Sequence, residues 1–257
     1  AYGGEAWFNR SLLAAGCTAG QGSEQPFVLY VGLVAPHFPL VVPQEFFDLY
    51  PLDQLPEPKL QPSEGYQRHP WVQEYTDFMP NEEAFRSPLE RLQAFAAYFG
   101  LCSWLDHNVG QILQALDAAG LADSTQVVYT SDHGDNLGAR GVWGKSTLYE
   151  ESVKVPMLLA GPGVMPGVCE TPVDLLDLYP TILQAAGLDP APEMGQRPGR
   201  ALQDIARAAP EPERPILSEY HAAGSNSAGF MLRRGRWKLH HYVGFAPELF
   251  DLASDPE

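Results

Sequence analysis

Cysteine is nearly missing from this sequence. Cys17, Cys102 and Cys169 stand singly among 257 residues, and no two share a C-x-x-C spacing. So sparse and odd a set excludes a disulfide framework and a thiolate metal centre, leaving the three to serve as small buried hydrophobes. Basic residues are also few, 16 Lys and Arg against 32 Asp and Glu, for a formal net charge of -16. That balance argues against a nucleic-acid partner and against an anionic-membrane surface. It also makes any basic side chain near a candidate site informative, because the overall field repels anions. No apolar run is long enough to span a bilayer. Internal repeats and low-complexity tracts are absent too.

What is present centres on residues 127–135, VVYTSDHGD. The β-branched and aromatic run reads as a short buried strand, and it stops at a carboxylate, an imidazole and a glycine. In open α/β sheets ligands sit beyond the carboxyl ends of parallel strands, which is where Asp132 and His133 then stand. Gly134 allows a sharp turn beneath them. Neighbouring oxygen and nitrogen donors suit a divalent cation of mixed preference. An isolated Asp-His-Gly is equally compatible with a helix cap followed by a surface histidine, so the rest of the chain must decide.

The first residues read as a helix over 7–15. Residues 26–34, PFVLYVGLV, have the near-continuous apolar character of a strand buried on both faces. They lead into Ala35-Pro36-His37-Phe38-Pro39, so a second histidine is expected at a strand end, on the same sheet edge as His133. Residues 40–88 are rich in proline and aromatics and read as an ordered covering loop. Within it Trp71 and Tyr75 are assigned to packing ahead of a pocket wall. Apolar spacing over 89–121 predicts one long helix, or two broken near Gly100, ended by Gly120. Asp106 and His107 fall inside it and are read as structural. Residues 138–145, GARGVWGK, form a glycine-rich loop presenting Lys145, and 156–160 read as a further strand. A helix over 173–187 interrupted at Pro180, a strand over 215–220, and a hairpin of 230–232 with 237–242 complete the reading. The late strands suggest a small antiparallel sheet.

Together these segments resemble the sulfatases of the alkaline phosphatase superfamily. The matching pieces are VGLVAPHFPLVVP, then LADSTQVVYTSDHGDNLGARGVWGKSTLYEESVKVPMLLAGPG, VDLLDLYPTILQAAGL, GRWKLHHY and ELFDLASDPE. Asp followed by His is closer to the choline-sulfatase and phosphonate monoester hydrolase branches than to the lysosomal arylsulfatases. The resemblance implies an α/β fold with an alkaline-phosphatase-like mixed sheet between helices and a small C-terminal antiparallel sheet. It divides the chain into a partial α/β domain over 1–205 and an antiparallel-sheet subdomain over 206–257.

By position, the resemblance makes Asp132 and His133 ligands of a calcium or manganese ion. Lys145 becomes the contact to the sulfate and leaving-group oxygen, and His37 the group beside the leaving group that helps protonate it. His221 is a weaker candidate for the pocket rim. Such an enzyme hydrolyses a small-molecule sulfate ester. The alternatives are a phosphonate monoester or phosphodiester hydrolase of the same superfamily, or a non-catalytic remnant. Two further aspartates and a C-x-P-x-R or C-x-A-x-R cysteine, oxidised to formylglycine, are expected from an amino-terminal segment. Here Cys17 is followed by TAGQ, Cys102 by SWLD and Cys169 by ETPV. The expectation is therefore a sulfatase fragment without its nucleophile segment. No nucleic-acid or membrane partner is expected, oligomerisation is left open, and the cytoplasm is the expected compartment, with the periplasm as the alternative.

Overall fold

The computed structural model describes residues 27–188, 198–222 and 224–257. The helix expected over 7–15 lies outside the described residues. In chain order the regular elements are α1 (Gln44–Phe47), α2 (Pro70–Phe78), α3 (Pro88–Ala118), β1 (Val127–Thr130), α4 (Glu150–Val153) and β2 (Met157–Ala160). There follow α5 (Leu178–Ala185), α6 (Leu202–Arg207), β3 (Ile216–Tyr220), β4 (Gly229–Arg234), β5 (Trp237–Tyr242) and β6 (Glu248–Asp251). The chain divides into two compact units. One comprises the residues up to Leu55, Gln93–Ser124 and Leu176–Ala201; the other comprises Pro56–Leu92, Thr125–Leu175 and Leu202–Glu257.

In the first unit α3 runs unbroken through Gly100. That glycine sits where a Cβ would stand 3.0 Å from the carbonyl oxygen of Phe46, so its smallness serves close packing rather than a break. Tyr50 stacks on Phe99 at 5.5 Å and shares a hydrogen bond with Ser103 at 2.7 Å. The helix stops as expected. Gly120 takes a left-handed φ of 69°, and its N–H donates to Asp117 O at 2.8 Å. Asp106 and His107 are exposed on α3, and His107 bonds Gln111 at 2.8 Å. The interruption at Pro180 resolves into a start: a 3-10 turn over Leu175–Asp177 precedes α5, and proline is tolerated in a first turn.

The strand expected over 26–34 does not form. Val28, Leu29, Tyr30 and Val34 are 48%, 51%, 67% and 60% exposed. A strand exists through its ladder, and among the described residues no strand pairs with this segment. His37 therefore follows irregular backbone. Its N–H closes a turn onto Val34 O at 2.9 Å.

The second unit holds both sheets. β1 pairs with β2 antiparallel, Thr130 opposite Met157. β3-β4-β5-β6 form an antiparallel meander, the expected C-terminal sheet. Its central hairpin turns through Gly235 (φ 57°) and Arg236, since Arg234 lies opposite Trp237. Helix α2 starts with Pro70 in its first turn and with the His69 ring accepting from Trp71 N at 3.2 Å. Trp71, Val72 and Tyr75 of α2 pack with Val142, Leu148, Tyr149, Met231, Tyr242 and Phe250 to make the core. Trp71 stacks on Tyr242 at 4.7 Å. Burial of side chains this size is worth roughly 1.5–3 kcal/mol each. Packing is thus the role of Trp71 and Tyr75.

The C-terminal sheet inverts the usual alternation. Its inner face carries Lys238 and His240 beside Tyr242, while Leu217, Leu232, Leu239 and Leu249 form one cross-strand row on the exposed face. Lys238 and His240 each meet a carboxylate. Lys238 Nζ donates to Glu150 at 2.6 Å, and Glu248 accepts from the Tyr149 and Tyr242 hydroxyls at 3.1 Å each. Burial lowers the affinity of Lys238 for its proton, and Glu150 opposes this.

Candidate active site

Strand β1 ends where Thr130 Oγ1 donates to Pro156 O at 2.8 Å, fixing the last residue before Ser131-Asp132-His133-Gly134. Ser131 Oγ then donates to His133 O at 2.8 Å, and His133 N donates to Asp132 Oδ1 at 3.0 Å. This tight local turn leaves the Asp132 side chain open to solvent and His133 half-buried. His133 Nδ1–H donates to Gly134 O at 2.9 Å. In the neutral ring that bond leaves the Nε2 lone pair available to a cation. Nε2 stands 3.5 Å from Asp132 Oδ2, so one oxygen and one nitrogen donor are side by side. The pair fits a divalent cation chemically. It is also only part of a set: hard cations take about six ligands, and no group of three or more His, Cys, Asp or Glu among the described residues forms a metal cluster.

Gly134 closes this turn against α4. Its N–H donates to Ser152 O at 2.7 Å, and a Cβ would stand 3.1 Å from the carbonyl carbon of Glu151 and nearer still to its oxygen. Only glycine allows that approach. Glu151 in turn is gripped by Arg140 at 3.2 Å and Lys59 at 2.7 Å. Burial alone would raise the Glu151 carboxyl, but these two cations hold it below its ordinary value.

The loop from Asp135 to Thr147 carries Lys145. Six of the ten residues from 137 to 146 have left-handed φ, and three of them (Leu137, Arg140 and Ser146) are not glycine. Such residues cost about 1–3 kcal/mol each and need surroundings that enforce them. The surroundings are visible. Asp135 Oδ1 accepts from Leu137 N at 2.8 Å and from Gly144 N at 3.0 Å. Asn136, 2% exposed, bonds Gly144 O at 2.6 Å and Thr147 Oγ1 at 2.9 Å. Arg140 turns its guanidinium inward, 3.8 Å above the Tyr149 ring. Burial raises the Asp135 carboxyl, and the N–H groups of Leu137 and Gly144 that it accepts from oppose this. The bonds from Asp135 and Asn136 to Gly144 hold the segment that carries Lys145 against the one that follows Asp132 and His133. Tyr75 bonds Ser146 beside it, and its hydroxyl is raised chiefly by burial.

Asp132, His133 and Lys145 all lie in the second unit. His37 belongs to the first unit. Its Nδ1–H donates to Phe38 O at 2.7 Å, and its ring lies 4.3 Å from that of Phe38. His221, also in the second unit, is exposed at the end of β3 and contacts Glu219 at 3.1 Å and the edge of Phe230 at 5.2 Å. The loop's supports, Gln61, Arg68, Asn136 and Glu151, were not singled out from the sequence. The one available signal was the density of glycine in GARGVWGK, since close backbone approaches need partners.

Residues 9–188 match the Sulfatase family, and residues 138–257 match the family described as N-sulphoglucosamine sulphohydrolase, C-terminal. The chain is 34% identical over 241 residues to the choline-sulfatase of Rhizobium meliloti (strain 1021), covering 91% of this chain and 46% of that protein. It is 34% identical over 258 residues to the arylsulfatase K of Mus musculus, again covering 91% of this chain and 46% of the relative. A solved phosphonate monoester hydrolase from Silicibacter pomeroyi superimposes with a TM-score of 0.74 at 29% identity, covering 86% of this chain and 49% of that one. The chain spans about half the length of the curated relatives it matches. Its α/β architecture, with mixed helices and sheets and a small C-terminal antiparallel sheet, is the alkaline-phosphatase-like one expected. With the family match running through the Asp132-His133 turn and the Lys145 loop, this chain belongs to the sulfatase family.

Proposed function

We propose that this chain forms the metal-ligand and lysine part of a sulfuric ester hydrolase. On this reading it works joined to a segment bearing the nucleophile and the remaining metal ligands. The observation that carries the reading is the pinned, left-handed loop that returns from Asp135 to Gly144 and so delivers Lys145 to the segment that follows Asp132 and His133. Cleaving a sulfate ester builds negative charge on the bridging oxygen. The Lys145 ammonium is delivered by a rigid loop and meets that charge without reorganising. In a chain of formal charge -16 it is also the local feature that draws an anion in. Asp132 and His133 supply two of the donors for a calcium or manganese ion, which when bound polarises the ester oxygens. The role proposed for the His37 imidazole is to protonate the leaving oxygen.

A second reading, hydrolysis of phosphonate monoesters, is favoured by the likeness to the Silicibacter pomeroyi enzyme. The same lysine and metal donors serve both, since both reactions place charge on an oxygen leaving a tetrahedral anion. The experiment is to express the chain together with the nucleophile segment and compare kcat/KM on an aryl sulfate with that on an aryl phosphonate monoester. A ratio favouring the sulfate supports the first reading, and a reversed ratio replaces it with the second. No metal-dependent turnover of either ester would sink both.

A further inference from the structure

We propose that Arg68 is a positioning residue: its guanidinium holds the left-handed loop that delivers Lys145. The inference rests on the reading of Lys145 as the anion contact. Arg68 precedes α2 and is half-buried. Its Nε donates to Arg140 O at 2.6 Å and its Nη2 to Gly141 O at 3.4 Å. One planar fork thus takes the carbonyls of two consecutive residues, both of which have positive φ (59° and 66°). The remaining arm, Nη1, reaches Gln73 at 3.2 Å and Thr76 at 3.3 Å on α2. The fit is close. A Cβ on Gly141 would stand 3.4 Å from Arg68 Cζ and nearer to Nη2, so residue 141 must be glycine for the fork to seat.

Other groups complete the clamp without replacing it. Gln61 donates to Gly138 O at 2.7 Å, and Arg140 N donates to Lys59 O at 3.1 Å. Carbonyls of a left-handed turn point outward and have no ladder of their own, so an external donor must hold them. Lysine is a point charge and cannot present two coplanar N–H groups at this spacing. Removing the fork should leave the core of the unit in place and let the loop lose register. Lys145 sits four residues past Gly141 at the loop's end, so a shift of order 1 Å there lowers the chemical step roughly 10- to 100-fold.

Two measurements test this. In the chain itself, amide hydrogen exchange is compared between the wild type, Arg68→Ala and Arg68→Lys. Residues 137–146 are expected to lose protection at least about tenfold, while the β4–β5 hairpin keeps it. Tens of millimolar guanidinium, well below denaturing concentrations, should restore protection in Arg68→Ala. Loss spread evenly over β4–β5, or no loss in the loop, overturns the proposal; if Arg68→Ala does not fold, Arg68→Lys carries the same comparison. In the protein joined to its nucleophile segment, Arg68→Ala should lower kcat with little change in KM and be rescued by guanidinium. Adding Arg68→Ala to Lys145→Ala should cost almost nothing more. If Lys145→Ala lowers turnover but Arg68→Ala does not, the positioning role fails and the function stands. If Lys145→Ala leaves turnover unchanged, the reading of Lys145 fails, whatever Arg68 does to exchange.

Discussion

The substitution Gly134→Ala tests the joint between the metal-ligand turn and α4. A Cβ at this position would stand 3.1 Å from the carbonyl carbon of Glu151, nearer still to its oxygen, and 3.5 Å from Ser152 O. The obstacle is backbone, so no side chain can swing away. The Glu151 carboxylate is moreover anchored by Arg140 and Lys59, which keeps α4 from retreating. Overpacking of this kind costs about 1–3 kcal/mol. Forcing the segments apart also breaks the 2.7 Å bond from Gly134 N to Ser152 O, another ~1–3 kcal/mol if the groups stay unsatisfied. The stiffer unfolded chain returns only about 0.4–1 kcal/mol. The net is a loss centred on roughly 3 kcal/mol. Urea unfolding followed by tryptophan fluorescence reads this, because three of the five tryptophans, Trp71, Trp143 and Trp237, lie in the second unit. With a urea slope of ~1–3 kcal/mol/M, the midpoint should fall by about 1 M or more. Gly167→Ala is the control, since a Cβ there meets nothing within 4 Å. If Gly134→Ala shifts the midpoint no further than Gly167→Ala, the close approach is not a constraint and the reasoning fails.

Removing the Lys145 ammonium by Lys145→Ala should lower kcat on the preferred ester by roughly 10²–10³, the effect of deleting one preorganised donor. Unchanged kcat/KM would make Lys145 an ordinary surface charge. His240, fully buried against Glu248, Tyr149 and Phe250, gives a pH-dependent stability. Burial pushes its pKa below 6.5, with Glu248 opposing and the charge of Lys238 assisting. Below about pH 6.5 the unfolded chain therefore binds a proton that the folded chain resists, and stability falls as pH drops toward the folded value. The slope approaches ~1.4 kcal/mol per pH unit. His240→Gln should flatten urea midpoints between pH 6.5 and 5 (about that window); an unchanged slope would refute the assignment.

The elements legible in the sequence were those whose signals are local. Residues 127–130 and 157–160 carry β-branched or apolar runs with turn residues after them, and both formed strands. Gly120 closed α3 because a left-handed residue after a helix needs no tertiary partner. Residues 26–34 had the same apolar character and failed, because a strand buried on both faces is defined by neighbours that its own sequence does not contain. The sheet face was likewise hidden. WKLHHY announces alternation, yet the leucine-bearing face turned outward and Lys238, His240 and Tyr242 turned in, since their partners Glu150, Tyr149 and Glu248 come from elsewhere. At the candidate site, Asp132, His133 and Lys145 were readable as residue types at strand and loop ends. Their shared setting, made by Asp135, Gly134 and the inward Arg140, consists of contacts between segments and left no periodic trace.

The chain by itself offers a further test of the proposed division of labour. None of its three cysteines stands in C-x-P-x-R or C-x-A-x-R. Cys102 lies half-buried within α3, and Cys169 is exposed with Sγ 4.0 Å from Ile205 O. On the proposed reading Asp132 and His133 supply two donors where about six are needed, so calcium should bind more weakly than ~1 mM, the weak end of protein sites. The attacking group and the remaining ligands come, on that reading, from a joined segment, so Lys145 in this chain by itself attracts an anionic ester without helping to cleave it. The purified 257-residue chain should therefore hydrolyse neither sulfate nor phosphonate esters above background when calcium or manganese is added. Calorimetric titration with calcium should likewise give no saturating heat in the micromolar range. Saturable hydrolysis by this chain alone, abolished by Asp132→Ala, would mean that a nucleophile is present among its residues and that the division of labour proposed for the site is wrong.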